Sequence, residues 1–120
     1  MTYQKPDGVT DCREQGRVIL AHGEITGHAH EVFDACDTLD PTEVPIPAAD
    51  FFEEPSGRRV LLAHRPCVLR HEEHGRIVLD PSHPVQVRQG DVLLQPIGPG
   101  AWQVIRQREY TPEAIRSVAD

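Results

Sequence analysis

Two histidine pairs carry the residue types and spacing that can do chemistry: His28 and His30 in Gly27-His28-Ala29-His30-Glu31, and His71 and His74 in Arg70-His71-Glu72-Glu73-His74-Gly75. They are four of the 7 histidines in a chain of 120 residues. Most single histidines bind nothing, and one flanked by glutamates on a polar turn is ordinarily a solvated surface group. Two tight pairs in one small chain instead favour a shared cation. On a strand, residues i and i+2 project from the same face, so His28 and His30 can reach one ion past the small Ala29 at the usual Zn–N distance of about 2.0–2.1 Å. His71 and His74, three apart, share a face on a helix but oppose each other on a strand. Both reach one ion only if the chain bends after Val68-Leu69-Arg70, and Gly75 permits such a bend.

Imidazole donors select a divalent transition metal, zinc first, with nickel, copper and iron also compatible; magnesium and calcium would need more oxygen ligands. Four histidines would close a tetrahedral, structural site. Three with a water would leave one position open, and Glu31 or Glu72 would then serve as general base or additional ligand. The spacing is not the helical H-E-x-x-H of metalloproteases. His22, His64 and His83 have no paired neighbour and are assigned no role. Ser56 and Ser82 sit in turns without the pattern that activates a nucleophile.

A charge of −7 from 19 acidic and 12 basic residues argues against a phosphate backbone as partner, and the Arg106, Arg108 pair is too small a basic patch to reverse this. Met1 to Gln15 is polar and lacks the apolar core of a secretory signal, and no apolar run approaches the about 20 residues of a membrane span. The expectation is a cytoplasmic protein with neither nucleic-acid nor membrane partners. Cys12, Cys36 and Cys67 are odd in number and widely spaced, which predicts free thiols rather than a disulfide framework or zinc knuckle.

The elements that must position the histidines read as short strands within a single domain spanning residues 1–120. Apolar runs at Arg17–Ala21, Glu24–Val32, Arg58–Ala63, Pro66–Arg70, Arg76–Leu79, Val85–Arg88, Asp91–Leu94 and Ala101–Arg106 are separated by Gly and Pro clusters. This punctuation predicts a mainly β protein, a small antiparallel barrel or sandwich. A tight turn at His64-Arg65 is expected to join two of the strands. The Pro-rich acidic stretch 40–57, with prolines at 41, 45, 47 and 55, reads as an extended loop or edge segment that Phe51 and Phe52 pin onto the core. Thr111-Pro112-Glu113 opens a short C-terminal helix with a suitable N-cap and first-turn residues, and Tyr110 packs beneath it. The charges of the segment Gln107–Glu113 are assigned to the surface.

Gly23-x4-His28-x-His30 resembles the opening of the first cupin motif, and Gly90-Asp91-Val92-Leu93-Leu94-Gln95-Pro96-Ile97-Gly98 resembles the second, with its glycine and its P-x-G turn. The resemblance implies a small β-barrel that holds a metal at its H-x-H pair. The second motif's histidine is replaced by Ala101, so His71 and His74 would complete the ligand set. The wider pattern, GEITGHAH, HEEH and QREYTPE, resembles an uncharacterised bacterial and phage family and implies no reaction. The leading reading is a metal-binding β-domain. Its rival is a non-catalytic structural or interaction module that forms a homo-oligomer through strand edges, its histidines incidental.

Overall fold

The structure is a computed structural model that describes residues 3–22, 28–34 and 49–106. Ten strands follow one another: β1 Thr10–Asp11, β2 Val18–His22, β3 Ala29–Asp34, β4 Ala49–Glu53, β5 Arg59–Ala63, β6 Cys67–His71, β7 Gly75–Leu79, β8 Val87–Gln89, β9 Val92–Gly98 and β10 Ala101–Arg106. They form a six-stranded sheet in the order β1-β4-β5-β10-β9-β8 and a four-stranded sheet in the order β2-β3-β6-β7. Every pairing is antiparallel. No helix occurs among the described residues, and none is long and apolar enough to cross a membrane.

Alternation of apolar side chains along the strands supplies one shared core. Val18, Leu20, Val32, Leu69 and Leu79 of the four-stranded sheet meet Phe51, Leu61, Leu94, Trp102 and Val104 of the six-stranded sheet in a single buried cluster. Trp102 is buried, and its indole N–H donates to the Val85 carbonyl at 2.9 Å, so its polar group is satisfied outside the apolar centre. The strands of β4 and β5 bury side chains on both faces. Phe51 and Leu61 face the core, while Phe52 and Val60, also buried, lie on the other side. There the N-terminal segment covers Phe52: Tyr3 packs on it with ring centroids 6.5 Å apart and Lys5 Nζ lies 4.9 Å from its centroid. Tyr3 also donates its hydroxyl to Glu54 at 2.6 Å, and Arg58 holds the same carboxylate at 2.7 and 3.1 Å.

The architecture is a sandwich of two sheets and not a closed barrel, so the barrel expected from the cupin resemblance is not formed. A further correction concerns the stretch 40–57. Ala49–Glu53 is a full strand, paired with β1 on one side and β5 on the other, because Pro45, Pro47 and Pro55 flank it without interrupting it. Phe51 and Phe52 are buried as expected. The bend at His64-Arg65 joins β5 to β6, and because these strands belong to different sheets the chain there crosses the sandwich. The proposed helix near 111–118, Tyr110, Cys36 and most of the Pro-rich stretch lie outside the described residues.

Two outcomes follow for stability. Phe51→Ala removes a fully buried ring at the centre of the shared core and should cost about 3–5 kcal/mol, measured by urea unfolding. Glu54 is held below the ordinary glutamate range chiefly by the Arg58 hydrogen bond. A carboxyl whose pKa is lower in the folded state adds stability that is complete above the unfolded value and is lost as pH falls through the folded one. Acidification below about pH 4.5 should therefore lower the melting temperature of the native protein by more than that of Glu54→Gln.

Candidate metal centre

The four paired histidines come together at one end of the sandwich. His28 precedes β3 and His30 lies in it; His71 closes β6 and His74 sits in the turn to β7. Pairing of His71 with Gly75 leaves a three-residue loop, Glu72-Glu73-His74, and Gly75 takes φ 85° to reverse the chain. The bend that the i, i+3 spacing demands is thus a hairpin. Ring centroids are 4.3 Å apart for His30 and His71, 4.7 Å for His71 and His74, 5.9 Å for His28 and His71, and 6.0 Å for His30 and His74. The buried His71 is the hub of the group.

Two sets of potential ligand atoms lie within 4.8 Å of one another: His28, His71 and Glu72, and His71, Glu73 and His74. Both share His71 and each adds a hairpin glutamate. The Nδ1 of His28 is buried without a hydrogen-bond partner, and the nearest carboxylate oxygen, on Glu73, is 3.9 Å away. Burial, reinforced by His30 and His74, pushes His71 below the ordinary histidine range and favours the neutral ring that a metal requires. Glu72 is held below the usual carboxylate range by its own backbone N–H, and the Ala29 N–H, which it accepts at 3.1 Å, acts the same way. An orphaned imidazole nitrogen, a neutral central ring and carboxylates within reach form a donor set that fits a borderline divalent metal. Beside them lies a pocket of about 90 Å³, bordered by Ala29, Arg70, His71 and Glu72.

His71 imposes one condition on any ion. Its Nδ1 accepts the Glu73 backbone N–H at 3.0 Å, so the neutral ring carries its proton on Nε2. Loading His71 through either nitrogen requires that this bond be remade.

His30 lies deeper, only 2% exposed, and belongs to neither set of ligand atoms. Its Nδ1 meets the Gln89 side-chain oxygen at 2.8 Å. The Gln89 amide nitrogen donates to the carbonyls of Leu69 at 3.1 Å and Gly75 at 3.0 Å, which fixes the amide with its oxygen toward His30. His30 Nδ1 is therefore the donor. The adjoining two-residue turn, Gly90-Asp91, has φ 61° at Gly90 only, the pattern of a type II′ hairpin. A Cβ on Gly90 would lie 2.9 Å from His74 Nε2 and 3.2 Å from His30 Cε1, so this turn packs directly on the imidazoles.

Of the two glutamates offered as general base or additional ligand, Glu72 lies at the cluster. Glu31 does not: Arg17 holds it by two hydrogen bonds, at 2.9 and 2.7 Å. The unassigned His22 and His64 pair with surface carboxylates, Glu14 and Asp50, each at 2.9 Å. Cys12 and Cys67 are free thiols and neither enters a ligand set. Sequence reasoning missed Gln89, Gly90 and Asp91 as parts of this end. The usable signal was the period of two in β8, where Val87 and Gln89 point inward and Arg88 outward.

Fold and site together define a two-sheet β-sandwich with a histidine cluster at one end. The chain belongs to a family described as "Domain of unknown function (DUF8820)", whose model matches residues 2–83. All four clustered histidines fall inside the matched segment, and the Gln89-Gly90-Asp91 turn lies beyond it. No curated protein and no solved structure shows significant similarity to the chain.

Gln89→Leu keeps the volume but strands two backbone carbonyls and the His30 N–H. Urea unfolding should show a loss of about 2 kcal/mol or more, against less than about 0.5 kcal/mol for the exposed change Arg76→Gln on β7.

Proposed function

We propose that this domain binds one divalent transition-metal ion, zinc in preference to nickel, copper or iron, through His28, His30, His71 and His74. The observation that carries the reading is the convergence of two distant pairs on the buried ring of His71, with His28 Nδ1 buried and without a partner. Neighbouring ligand atoms on a tetrahedral zinc are about 3.3 Å apart at Zn–N distances of about 2.0–2.1 Å. The sets found here lie within 4.8 Å and must contract, which the exposed side chains of Glu72, Glu73 and His74 can do by rotation. A single metal site in a cytoplasmic domain with free thiols accounts for these features, and the reading names no reaction.

A second reading has support of its own. Among the described strands β7 pairs only with β6, and its Val78 is 67% exposed. A homo-oligomer formed along this edge would cover it, and the histidines would then be incidental.

The untagged protein should take up one equivalent of Zn²⁺, and its melting temperature should rise with metal and fall with a chelator. Stabilisation should grow as RT ln(1 + [L]/Kd), reaching about 2.7 kcal/mol at a hundredfold excess over Kd. The Glu73 amide resonance should shift on loading, because its hydrogen bond to His71 is remade. His71→Ala should abolish uptake. If elemental analysis finds no Zn, Ni, Cu or Fe and His28→Ala leaves a titration unchanged, metal binding is excluded, and dilution-dependent sedimentation would then support the oligomer.

A further inference from the structure

The side of His30 that faces away from Gln89 has a partner that the histidine spacing does not reveal. Its Nε2 lies 3.3 Å from Asp91 Oδ1. Gln89 has already assigned the ring proton of neutral His30 to Nδ1, so Nε2 presents a lone pair to a carboxylate oxygen. Two acceptors at that distance repel unless a cation lies between them. A proton or a metal ion can fill this place: 3.3 Å equals the edge of a tetrahedron around zinc, about 3.3 Å for bonds near 2.0 Å, and since neither atom belongs to a set of three ligand atoms within 4.8 Å of one another, a shared ion needs His71 or His74 to close toward them.

Asp91 is also held as an oriented ligand would be. Its Oδ2 accepts the Arg106 Nε–H at 3.0 Å, and Arg106 is anchored in turn by donating from Nη2 to the His22 carbonyl at 2.6 Å. One carboxylate oxygen is thereby committed to Arg106 and the other is turned to His30. Such outer contacts commonly fix the direction of a metal-binding carboxylate or imidazole. Gly90, between Gln89 and Asp91, has no side chain to separate the turn from the rings.

Resting on the metal-binding reading above, we propose that Asp91 is a carboxylate ligand of the same ion, sharing it with His30 Nε2, and that Gln89 is the positioning residue that presents that nitrogen. The six-stranded sheet then contributes a ligand of its own, and the site is completed from both layers of the sandwich. The donor set becomes imidazoles plus at least one carboxylate, a combination that suits Zn²⁺, Co²⁺ or Fe²⁺ and is poor for Cu⁺, which prefers sulfur.

Cobalt(II) in the full-length protein is the probe, because its visible absorption reports the donor atoms directly. Asp91→Asn keeps the shape and an acceptor for Arg106, and should weaken Co²⁺ and Zn²⁺ binding by about 10- to 100-fold or more while changing the visible spectrum. Asp91→Cys should bind Co²⁺ and gain a thiolate-to-cobalt charge-transfer band that the native protein and Arg88→Cys lack. Gln89→Leu, compared at a temperature where it is fully folded, should allow proton occupancy of His30 Nε2 in the metal-free protein. Long-range ¹H–¹⁵N spectra would show this as a tautomer change. Native-like affinity and spectrum for Asp91→Asn, with no new band in Asp91→Cys, would remove Asp91 from the ligand set and leave the histidine site standing. A native protein that binds neither ion would overturn both proposals together.

Discussion

At the histidine end a buried amide ties the two sheets together. Gln89, on the edge strand β8 of the larger sheet, places both amide N–H groups on carbonyls of the smaller sheet and its oxygen on His30. A buried amide is costly to leave unpaired, so these three bonds act as a unit and set the distance between the β8–β9 turn and the β6–β7 hairpin. That distance determines how closely Gly90 and Asp91 approach the imidazoles. Apolar burial presses the layers together along their length, but it has no direction. The amide supplies the direction where the chemistry needs it.

The cluster that results has a floor and a rim. His30 and His71 are buried, and hydrogen bonds to Gln89 and to the Glu73 N–H limit how their rings can turn. His74, Glu72 and Glu73 face solvent on the hairpin. On the metal-binding reading, a cation entering from the rim would meet groups that can rotate to it and, beneath them, a His30 ring already placed by Gln89, whereas His71 would first have to give up its bond to the Glu73 N–H. Preorganisation of His30 would reduce the ordering that binding must enforce.

Much of this was legible in the sequence. The period of two in H-x-H put His28 and His30 on one face, and the glycine after Glu-Glu-His located the reversal that lets His71 and His74 converge. The short apolar runs gave most of the strands. Strand β4 is concealed in the sequence because prolines crowd the stretch 40–57 around it, although Ala49–Glu53 itself contains none. The crossing after Ala63 was concealed because a bend at His64-Arg65 looks the same whether the next strand joins the same sheet or the opposite one. Gln89 and Asp91 were passed over for a related reason. A single buried amide or carboxylate has no spacing signature, and its partners lie in strands distant along the chain. The resemblance to cupins led toward a closed barrel, whereas the strands pair into two separate ladders.

The left-handed backbone of Gly75 separates the architecture of this end from its chemistry. Once that residue fixes the reversal, the exposed Glu73 side chain carries little structural duty, unlike Glu72, whose carboxylate accepts the Ala29 N–H; both carboxylates are grouped with the histidines as potential ligand atoms. Exchanging Glu73 for a neutral, sulfur-bearing or cationic residue would alter the charge and hardness offered to a cation while leaving the Glu72–Ala29 hydrogen bond in place. On the metal-binding reading, a scaffold of this kind would change its metal preference through a single codon without having to refold.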